Sequence, residues 1–304
     1  MKKKILVIGS LNMDMDITLE NFPSAGQTVL GRTLENVPGG KGANQAFAAG
    51  RLGGDCTMLG CVGDDGFGKA LISNLSQCVK TDYIKVKENI NSGTAVIYIN
   101  DAGENSIVVI PGSNGKCDIE YLKENDNLFK ETDYVMFQLE IPYETVFYGI
   151  KRAHELGKTV ILNPAPAPKK GDFSDEIYPM IDYITPNETE TAIITGISTD
   201  DDVEKAGERL IDMGVKNALI TLGSKGALLI KSDKTKIYSP SFKTKAVDTT
   251  AAGDCFNGAF VVALSEGKSE EEALRFANMS SSIAVSRMGA QKSIPSREEV
   301  ESRL

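Results

Sequence analysis

The sequence predicts an α/β protein with a largely parallel central sheet, helices on both faces of that sheet, and a small inserted β-sheet. Short apolar runs that predict buried strands alternate with segments of helical spacing through most of the 304 residues. Two stretches, 14–37 and 83–111, break this rhythm and lack helical spacing, so we expect them to form one small antiparallel sheet, a lid, inserted into the main domain. No internal repeat, low-complexity segment or linker divides the chain, so residues 1–304 are predicted to form a single domain.

The elements follow from the spacing of apolar residues along the chain. The first part predicts strands at 3–9 and 57–62, helices at 42–52 and 67–79, and then three short strands at 83–86, 94–100 and 106–110. Beyond residue 115, strands are predicted at 134–139, 159–162, 183–185, 218–221 and 227–231, with helices at 143–156, 188–195 and 202–213. The last third predicts helices at 253–265, 270–287 and 297–303, and Ser269 with Glu272 forms the sequence of a capping box before the second of them.

The composition limits the classes of function. Hydrophobic residues make up 41% and charged residues 25% of the chain, as in an ordinary globular protein. The formal net charge is −9 with no offsetting basic tract, which argues against a nucleic-acid surface. The apolar run after Lys2–Lys4 is too short for a signal peptide or a membrane span. We therefore expect a cytoplasmic protein with neither nucleic-acid nor membrane partners.

Cysteine and histidine contribute little to the predicted chemistry. The number of cysteines, five, is odd and no Cys-x-x-Cys pair occurs, so buried free thiols are expected at Cys56 and Cys61. Cys255 has no neighbouring base, which argues against a nucleophilic role. His154 is the one histidine and falls late in a predicted helix, where a cation has a simple structural explanation. If the protein uses a general base, we expect a carboxylate.

The segment 246–260 is the most informative part of the chain. Its small residues Ala251, Ala252 and Gly253 open an apolar helix and are followed at once by Asp254. A helix start presents unpaired N–H groups and the positive end of the helix dipole, so it is a natural anion site that small residues leave open. Asp254 is the candidate base beside that anion. The alternative is an ordinary glycine-containing turn with Asp254 as a first-turn carboxylate.

A second glycine-rich helix entry lies at 39–53, which begins Gly-Gly-Lys-Gly-Ala-Asn-Gln. Together the two segments resemble the two signatures of the ribokinase / phosphofructokinase-B carbohydrate kinase family. Further landmarks extend the resemblance along almost the whole chain: Gly9–Asp14, Gln138–Glu140, Asn163–Pro166, Thr185–Glu190, Thr221–Gly226 and Gly289–Gln291. The resemblance implies ATP-dependent phosphorylation of D-ribose at O5, with Asp254 as the general base and Mg²⁺ and K⁺ as cofactors.

The resemblance also implies a set of sugar contacts. Asn12 and Asp14 follow the first strand at its carboxyl end, where open α/β sheets bind ligands, and could bind vicinal hydroxyls; an Asx turn is the alternative. Gly40, Lys41 and Asn44 resemble a second group of sugar contacts, since glycine permits close approach and the two side chains donate to hydroxyl oxygens. Glu140, which closes an apolar strand, is similar to the acceptor of a sugar hydroxyl in the family.

The remaining implied contacts hold the nucleotide and the cations. Asn187 and Glu190 match the Asn-x-x-Glu motif of the family, which places an amide on phosphate oxygens and a carboxylate on magnesium, through water. The implied nucleotide contacts are Thr221, Gly223, Ser224, Gly226 and Asn278, with Ala251, Ala252 and Gly253 at the anion hole. The implied monovalent-cation site comprises Asp248, Thr250, Ala284, Arg287, Gly289 and Ser293. Many family members have glycine where this chain has Ala251, and we expect a non-positive φ there.

Other functions remain open at this stage. Within the family, the substrate could be 2-deoxyribose, another small sugar or a nucleoside. A nicotinamide-dependent oxidoreductase is disfavoured because Gly9-Ser-Leu-Asn lacks the Gly-x-Gly-x-x-Gly pattern and Gly-Gly-Lys-Gly does not follow the first strand. A nucleotide-binding loop at Gly-Gly-Lys-Gly is disfavoured because the segment does not match the Walker A pattern. A sugar-binding protein without catalysis is disfavoured by the joint presence of Lys41, Asn187, Glu190 and Asp254. The resemblance finally implies a homodimer whose lids pack together.

Overall fold

The computed structural model describes residues 2–169, 172 and 174–304. Its strands are β1 (Lys4–Ile8), β2 (Asn12–Leu19), β3 (Gly31–Gly39), β4 (Asp55–Gly63), β5 (Lys80–Lys87), β6 (Gly93–Ile99), β7 (Asn105–Ile110), β8 (Tyr134–Phe137), β9 (Thr159–Leu162), β10 (Tyr183–Ile184), β11 (Asn217–Thr221), β12 (Gly226–Lys231) and β13 (Lys236–Pro240). Its helices are α1 (Lys41–Arg51), α2 (Gly66–Leu75), α3 (Ile119–Glu124), α4 (Asp126–Glu131), α5 (Tyr143–Glu155), α6 (Glu188–Thr195), α7 (Thr199–Asp212), α8 (Ala252–Ser265), α9 (Glu270–Ala284) and α10 (Arg297–Glu301). Short 3₁₀ turns cover Gly112–Lys116, Asp175–Met180, Gly223–Lys225 and Gln291–Ser293.

The large sheet has the strand order β13-β12-β11-β10-β9-β8-β1-β4-β5. Its pairs are parallel from β11 through to β5, and only the pairs made by β12 are antiparallel. The predicted fold class is confirmed. Strands that alternate with crossover helices must run in one direction, which brings the carboxyl ends of the central strands to one edge.

Helices cover both faces of the large sheet, as β1 shows. Ile5 and Val7 point into one apolar cluster, which holds the buried residues of α1, α8 and α9. Leu6 and Ile8 point into the opposite cluster, which includes the apolar residues of α5 and α7. Burial on both faces explains why β1 is an uninterrupted apolar run rather than an alternating one.

The small sheet has the order β3-β2-β6-β7 and differs from its prediction in two ways. The strand expected at 83–86 lies in β5, which pairs with β4 at the edge of the large sheet. The central pair of the small sheet, β2 with β6, is parallel rather than antiparallel, while its outer pairs are antiparallel. The reason is that the chain returns to the large sheet through β4 and β5 before it enters the small sheet a second time. Both β2 and β6 therefore start at the large sheet.

Other differences concern short elements. The sequence did not predict β13, α3 or α4; the two helices have six residues each, too few to show helical spacing. The helix expected over 270–287 ends at Ala284, but its predicted capping box of Ser269 and Glu272 is present, with both reciprocal bonds.

The cysteines are in the state that the sequence predicts. All five are free, and Cys56 and Cys61 are buried. Burial raises the pKa of the Cys255 thiol, so it is not a thiolate nucleophile at neutral pH. Within the described residues, no helix is both long enough and apolar enough to cross a bilayer.

Candidate active site

The candidate site lies where the carboxyl ends of the central strands meet. Glu140 follows β8, Asn163 follows β9 and Asn187 follows β10. The start of α8 adds Asp254 to the same edge, and the start of α1 adds Lys41. Residues that are up to 213 positions apart in the chain, from Lys41 to Asp254, therefore converge because the strands that carry or precede them are parallel neighbours.

Asp254 is a buried carboxylate held at both oxygens. Asn44 Nδ2 donates to its Oδ2 at 3.1 Å, and Gln45 Nε2 donates to its Oδ1 at 2.9 Å. Burial raises the pKa of Asp254, while Lys41 and the two amides act in the opposite direction. The result is a carboxylate with a raised proton affinity, fixed in orientation, with lone pairs left over to accept another proton.

The candidate anion site beside Asp254 consists of backbone N–H groups. Helix α8 has no side-chain N-cap, and among the described residues the N–H groups of Gly253 and Asp254 have no hydrogen-bond partner. These are the orphan donors that an anion satisfies at a helix start. The expectation for Ala251 was wrong: its φ is +57°, in the left-handed region. The chain reverses there to aim the first turn of α8 at the cavity, and this reversal is the physical reason that glycine suits the position.

Asp14, a predicted sugar contact, lies in β2 and is buried. Burial, with the negative charges of Asp16, Glu140 and Asp254, raises the pKa of Asp14 to about 7. A Cβ at Gly39 would come within 2.0 Å of the Asp14 carboxylate, so only glycine at 39 leaves room for it. An acidic group confined in this way favours a ligand that offers hydroxyl donors.

Asn12 and Glu140 line a cavity of about 450 Å³ between the two sheets, which Val109 and Pro111 help to close. Asn12 Oδ1 accepts from Asn114 Nδ2 at 2.7 Å. Glu140 Oε2 accepts from the Ser10 hydroxyl at 2.6 Å and from the Lys41 N–H at 3.0 Å. Both groups are therefore held in place while they face the cavity.

Gly40 and Lys41 form the entry to α1. Gly40 has φ +87°, and a Cβ there would lie 2.6 Å from the Asn12 nitrogen, so the close approach requires glycine. Burial opposes the charge of Lys41, but the carboxylates of Asp254, Glu140, Glu190 and Asp14 outweigh it and raise the pKa of Lys41. The site thus contains four carboxyl groups around one ammonium.

A second cavity, of about 190 Å³, connects Lys41 and Asp254 with predicted nucleotide contacts. The predicted residues on its wall also include Asn187, Glu190, Thr221, Ala251, Ala252 and Gly253. Asn187 and Glu190 form the capping box of α6, with Glu190 Oε2 accepting from the Asn187 N–H at 2.9 Å. This structural role uses one Glu190 oxygen, and burial raises the pKa of its carboxyl.

A neighbouring groove of about 310 Å³ holds the remaining predicted nucleotide contacts. Its wall includes Thr221, Gly223, Gly226 and Asn278. Asn278 Nδ2 donates to the Ser239 carbonyl at 3.0 Å, so its orientation is fixed from the side of β13. Ser224 is on the same turn as Gly223, but its carbonyl accepts from the Ser241 hydroxyl and it is not among the residues of the wall.

The predicted monovalent-cation residues are only partly brought together. Asp248 accepts from the N–H of Thr250 at 2.8 Å and of Gly289 at 2.7 Å. Burial opposes ionisation of Asp248, yet these hydrogen bonds prevail and lower its pKa. The Arg287 guanidinium instead pairs with Glu299.

Two members of that predicted set occupy backbone turns. The Ala284 carbonyl accepts from the Arg287 N–H at 3.1 Å, and the Ser293 hydroxyl donates to the Ala290 carbonyl at 2.7 Å. The described residues contain no cluster of three or more acidic, cysteine or histidine side chains suited to a metal.

Four buried amides of the site had no predicted role: Gln45, Asn163, Asn257 and Gln291. Gln45 bridges Asp254 and Asn163, and Gln291 Nε2 donates to Asn44 Oδ1 at 3.1 Å. Asn163 and Asn257 line the second cavity. The signal that could have found Gln45 and Asn257 is a polar amide inside an otherwise apolar helix, since such a group is buried only with partners.

Comparison with known proteins agrees with this geometry. The pfkB family of carbohydrate kinases matches residues 2–297. A ribokinase from Bacillus subtilis is 43% identical, with 99% of each chain covered. The structure of a Thermotoga maritima ribokinase is 40% identical, with a TM-score of 0.89 and coverage of 99% and 98%. That of Arabidopsis thaliana ribokinase complexed with ribose and ATP is 33% identical, with a TM-score of 0.93 and the same coverage.

The chain therefore belongs to the pfkB family of carbohydrate kinases. A deoxyribokinase from Salmonella typhi is also 36% identical, with 97% of this chain and 96% of that protein covered. Overall similarity is thus close to both kinds of pentose kinase, and the polar groups of the site must decide between the two substrates.

Proposed function

We propose that this protein transfers the γ-phosphoryl group of ATP to O5 of D-ribose and releases D-ribose 5-phosphate and ADP. The single observation that carries the proposal is that Asp254 lies next to N–H groups without a hydrogen-bond partner at the start of α8. A base of raised proton affinity next to an anion site is the arrangement that phosphoryl transfer to a hydroxyl requires. The ribokinase relatives support the choice of sugar.

In the proposed reaction the sugar occupies the cavity bounded by Asn12 and Glu140. Asp14, Lys41, Asn44 and Glu140 bind its hydroxyls and place O5 beside Asp254. As O5 attacks the γ-phosphorus, its proton passes to Asp254 and the bond from phosphorus to the bridging β–γ oxygen breaks. The N–H groups of Gly253 and Asp254 stabilise the negative charge on the phosphoryl oxygens in the transition state.

ATP lies in the groove beside Thr221, Gly223, Gly226 and Asn278 in this proposal. Ser224 contributes through its turn, and Asn187 offers its amide to phosphate oxygens. Glu190 would hold Mg²⁺ through water, which fits a half-buried carboxyl with one oxygen outside the capping box. Magnesium supplies charge neutralisation at the phosphates.

A sugar panel tests the proposal. Purified protein is incubated with ATP, Mg²⁺ and D-ribose, 2-deoxyribose, other pentoses, a ketohexose or a nucleoside, and the phosphate is located on the product by NMR. We expect the highest kcat/KM for D-ribose and phosphate on C5. A higher kcat/KM for any other substrate, or phosphate on another carbon, would contradict the assignment.

Activity is expected to be higher in potassium than in sodium or lithium. We propose K⁺ binding near Asp248, Thr250 and Gly289, with Ala284, Arg287 and Ser293 on the adjoining turns, because Asp248 is ionised and ties the loop before α8 to residue 289. A bound cation would fix the anion site and strengthen charge stabilisation there. Rates are measured at matched ionic strength, and Asp248→Asn should remove the difference. Equal wild-type rates in the three salts would contradict the site.

We also propose that two copies pair through the small sheet. Its edge strand β7 exposes large apolar side chains on both faces in the described structure, Ile107 and Val109 on one face and Val108 and Ile110 on the other, each about half exposed. An exposed apolar edge strand of this kind suits a self-complementary interface. Sedimentation equilibrium should give twice the chain mass, and a monomer at micromolar concentration would count against the pairing.

A further inference from the structure

Two chains of buried amides end on the two oxygens of Asp254. On one side, Gln138 Nε2 donates to Gln45 Oε1 at 2.7 Å, and Gln45 Nε2 donates to Asp254 Oδ1. On the other side, Gln291 Nε2 donates to Asn44 Oδ1, and Asn44 Nδ2 donates to Asp254 Oδ2. This second chain continues outward, because Asn74 Nδ2 donates to Gln291 Oε1 at 2.5 Å.

The carboxylate sets the direction of every amide in these chains. An ionised carboxylate only accepts, so Asn44 must turn its NH₂ group toward Asp254. Its oxygen then faces Gln291, which must donate to it, and the oxygen of Gln291 in turn requires a donor from Asn74. Bonds aligned in one direction polarise one another, so donors far from Asp254 strengthen the bonds at its oxygens.

We propose that Gln45 and Gln291 are positioning residues for the general base, and that Asn74 acts on the same carboxylate through Gln291. This inference rests on the proposed function. It assigns a role to α2, which carries Asn74 and contributes no residue to the predicted sugar or nucleotide contacts. This chain of hydrogen bonds keeps the Asn44 NH₂ group directed at Asp254. The free lone pairs of the carboxylate then stay directed at the sugar.

Substitutions at Gln291 separate the effect of amide orientation from the effect of packing. Gln291→Glu preserves the shape and can still accept from Asn74, but it has no N–H for Asn44. Asn44 must then turn its NH₂ group toward position 291 and present its oxygen to Asp254, acceptor against acceptor. Gln291→Met preserves the volume without imposing either orientation. We expect kcat to fall about tenfold or more in Gln291→Glu, the worth of one lost hydrogen bond to a charged group, and about threefold in Gln291→Met.

A second variant guards against loss of folding, because position 291 is buried. Asn74 is only half-buried, and Asn74→Asp is isosteric but cannot donate to Gln291, so the chain is reversed one step earlier. We expect kcat to fall about threefold or more in Asn74→Asp, with the KM for ATP within about twofold of the wild type. Ser73→Asp is the matched control: it places the same charge on α2, one residue earlier, at an exposed position whose side chain takes no part in the hydrogen-bond chain. It should retain the wild-type kcat.

The outcomes distinguish the explanations. If Gln291 only fills space, Gln291→Glu, which has the closer shape, should keep a higher kcat than Gln291→Met. A higher kcat for Gln291→Glu, with both variants folded, would overturn the proposal. A wild-type kcat in folded Asn74→Asp would overturn the role given to Asn74. Because every comparison is made with active wild-type enzyme, an inactive wild type would reject the proposed function instead.

Discussion

Replacement of Asp254 by asparagine is expected to lower kcat by ~10²–10⁴-fold, the usual contribution of a positioned general base. Asparagine has nearly the same shape but cannot take the proton of the sugar hydroxyl. No histidine can substitute, since His154 lies in the last turn of α5 and is exposed. The measurement is kcat in saturating ATP and ribose, with binding of both ligands followed separately by calorimetry.

Loss of folding would not explain this result. Burial raises the pKa of Asp254 above the value in the unfolded chain. Ionisation of this group therefore lowers the free energy of unfolding at neutral pH, and this loss disappears only below the pKa of the unfolded chain. Removal of the charge by Asp254→Asn should therefore leave the melting temperature at pH 7.5 unchanged or raise it. Near-normal kcat in a folded variant would show that another group accepts the proton.

The change Asp14→Ala is expected to lower kcat/KM for ribose strongly and to narrow the preference for ribose over 2-deoxyribose. 2-Deoxyribose lacks the 2-hydroxyl, so in the wild type the buried Asp14 carboxylate would be left without that donor. The cost is roughly 1–3 kcal/mol, or about fivefold to a few hundredfold in kcat/KM. Without Asp14 this difference between the two sugars largely disappears. Both sugars are measured with both proteins at saturating ATP.

The matched control for Asp14 is Asp16→Ala on the same strand. It also removes a carboxylate, two residues further on and on the same side of β2, at a half-buried position. It should leave the ratio between the sugars unchanged. An Asp14→Ala variant with wild-type discrimination would reject the role given to Asp14, and a wild type that prefers 2-deoxyribose would reject the substrate.

The same carboxyl group of Asp14 is expected to give the ribose affinity a pH dependence. Its pKa of about 7 in the sugar-free site means that it is largely protonated at pH 6 and ionised at pH 8. Sugar hydroxyls donate to the ionised form, so the KM for ribose should fall as the pH rises through this range. In Asp14→Asn, which cannot ionise, this part of the pH dependence should be absent.

The sequence by itself determined the fold class and indicated where a candidate anion site would lie. Alternation of apolar runs with helical segments is a local property, which is why β1, β9 and α6 were predicted almost to the residue. The small residues before Asp254 likewise indicate a helix that opens on an anion, because orphan N–H groups are a local consequence of helix geometry.

Only the tertiary structure decided how distant segments pair. Strand β5 has the same short, polar-flanked pattern as the strands of the small sheet, and its place beside β4 depends on a partner that no local pattern specifies. Tertiary structure also determines the parallel pairing of β2 with β6 and the positive φ of Ala251. Both depend on the path that the chain must follow between packed elements.

The orientation of the supporting amides in the site was beyond sequence reasoning for a related reason. Gln45, Asn74 and Gln291 have no function as isolated residues, and 246 positions separate the first from the last. They gain a defined orientation only when packing buries them in line with the Asp254 carboxylate. Hydrogen-bond direction is a property of the assembled network, because each amide is fixed by the group that its neighbour leaves unpaired.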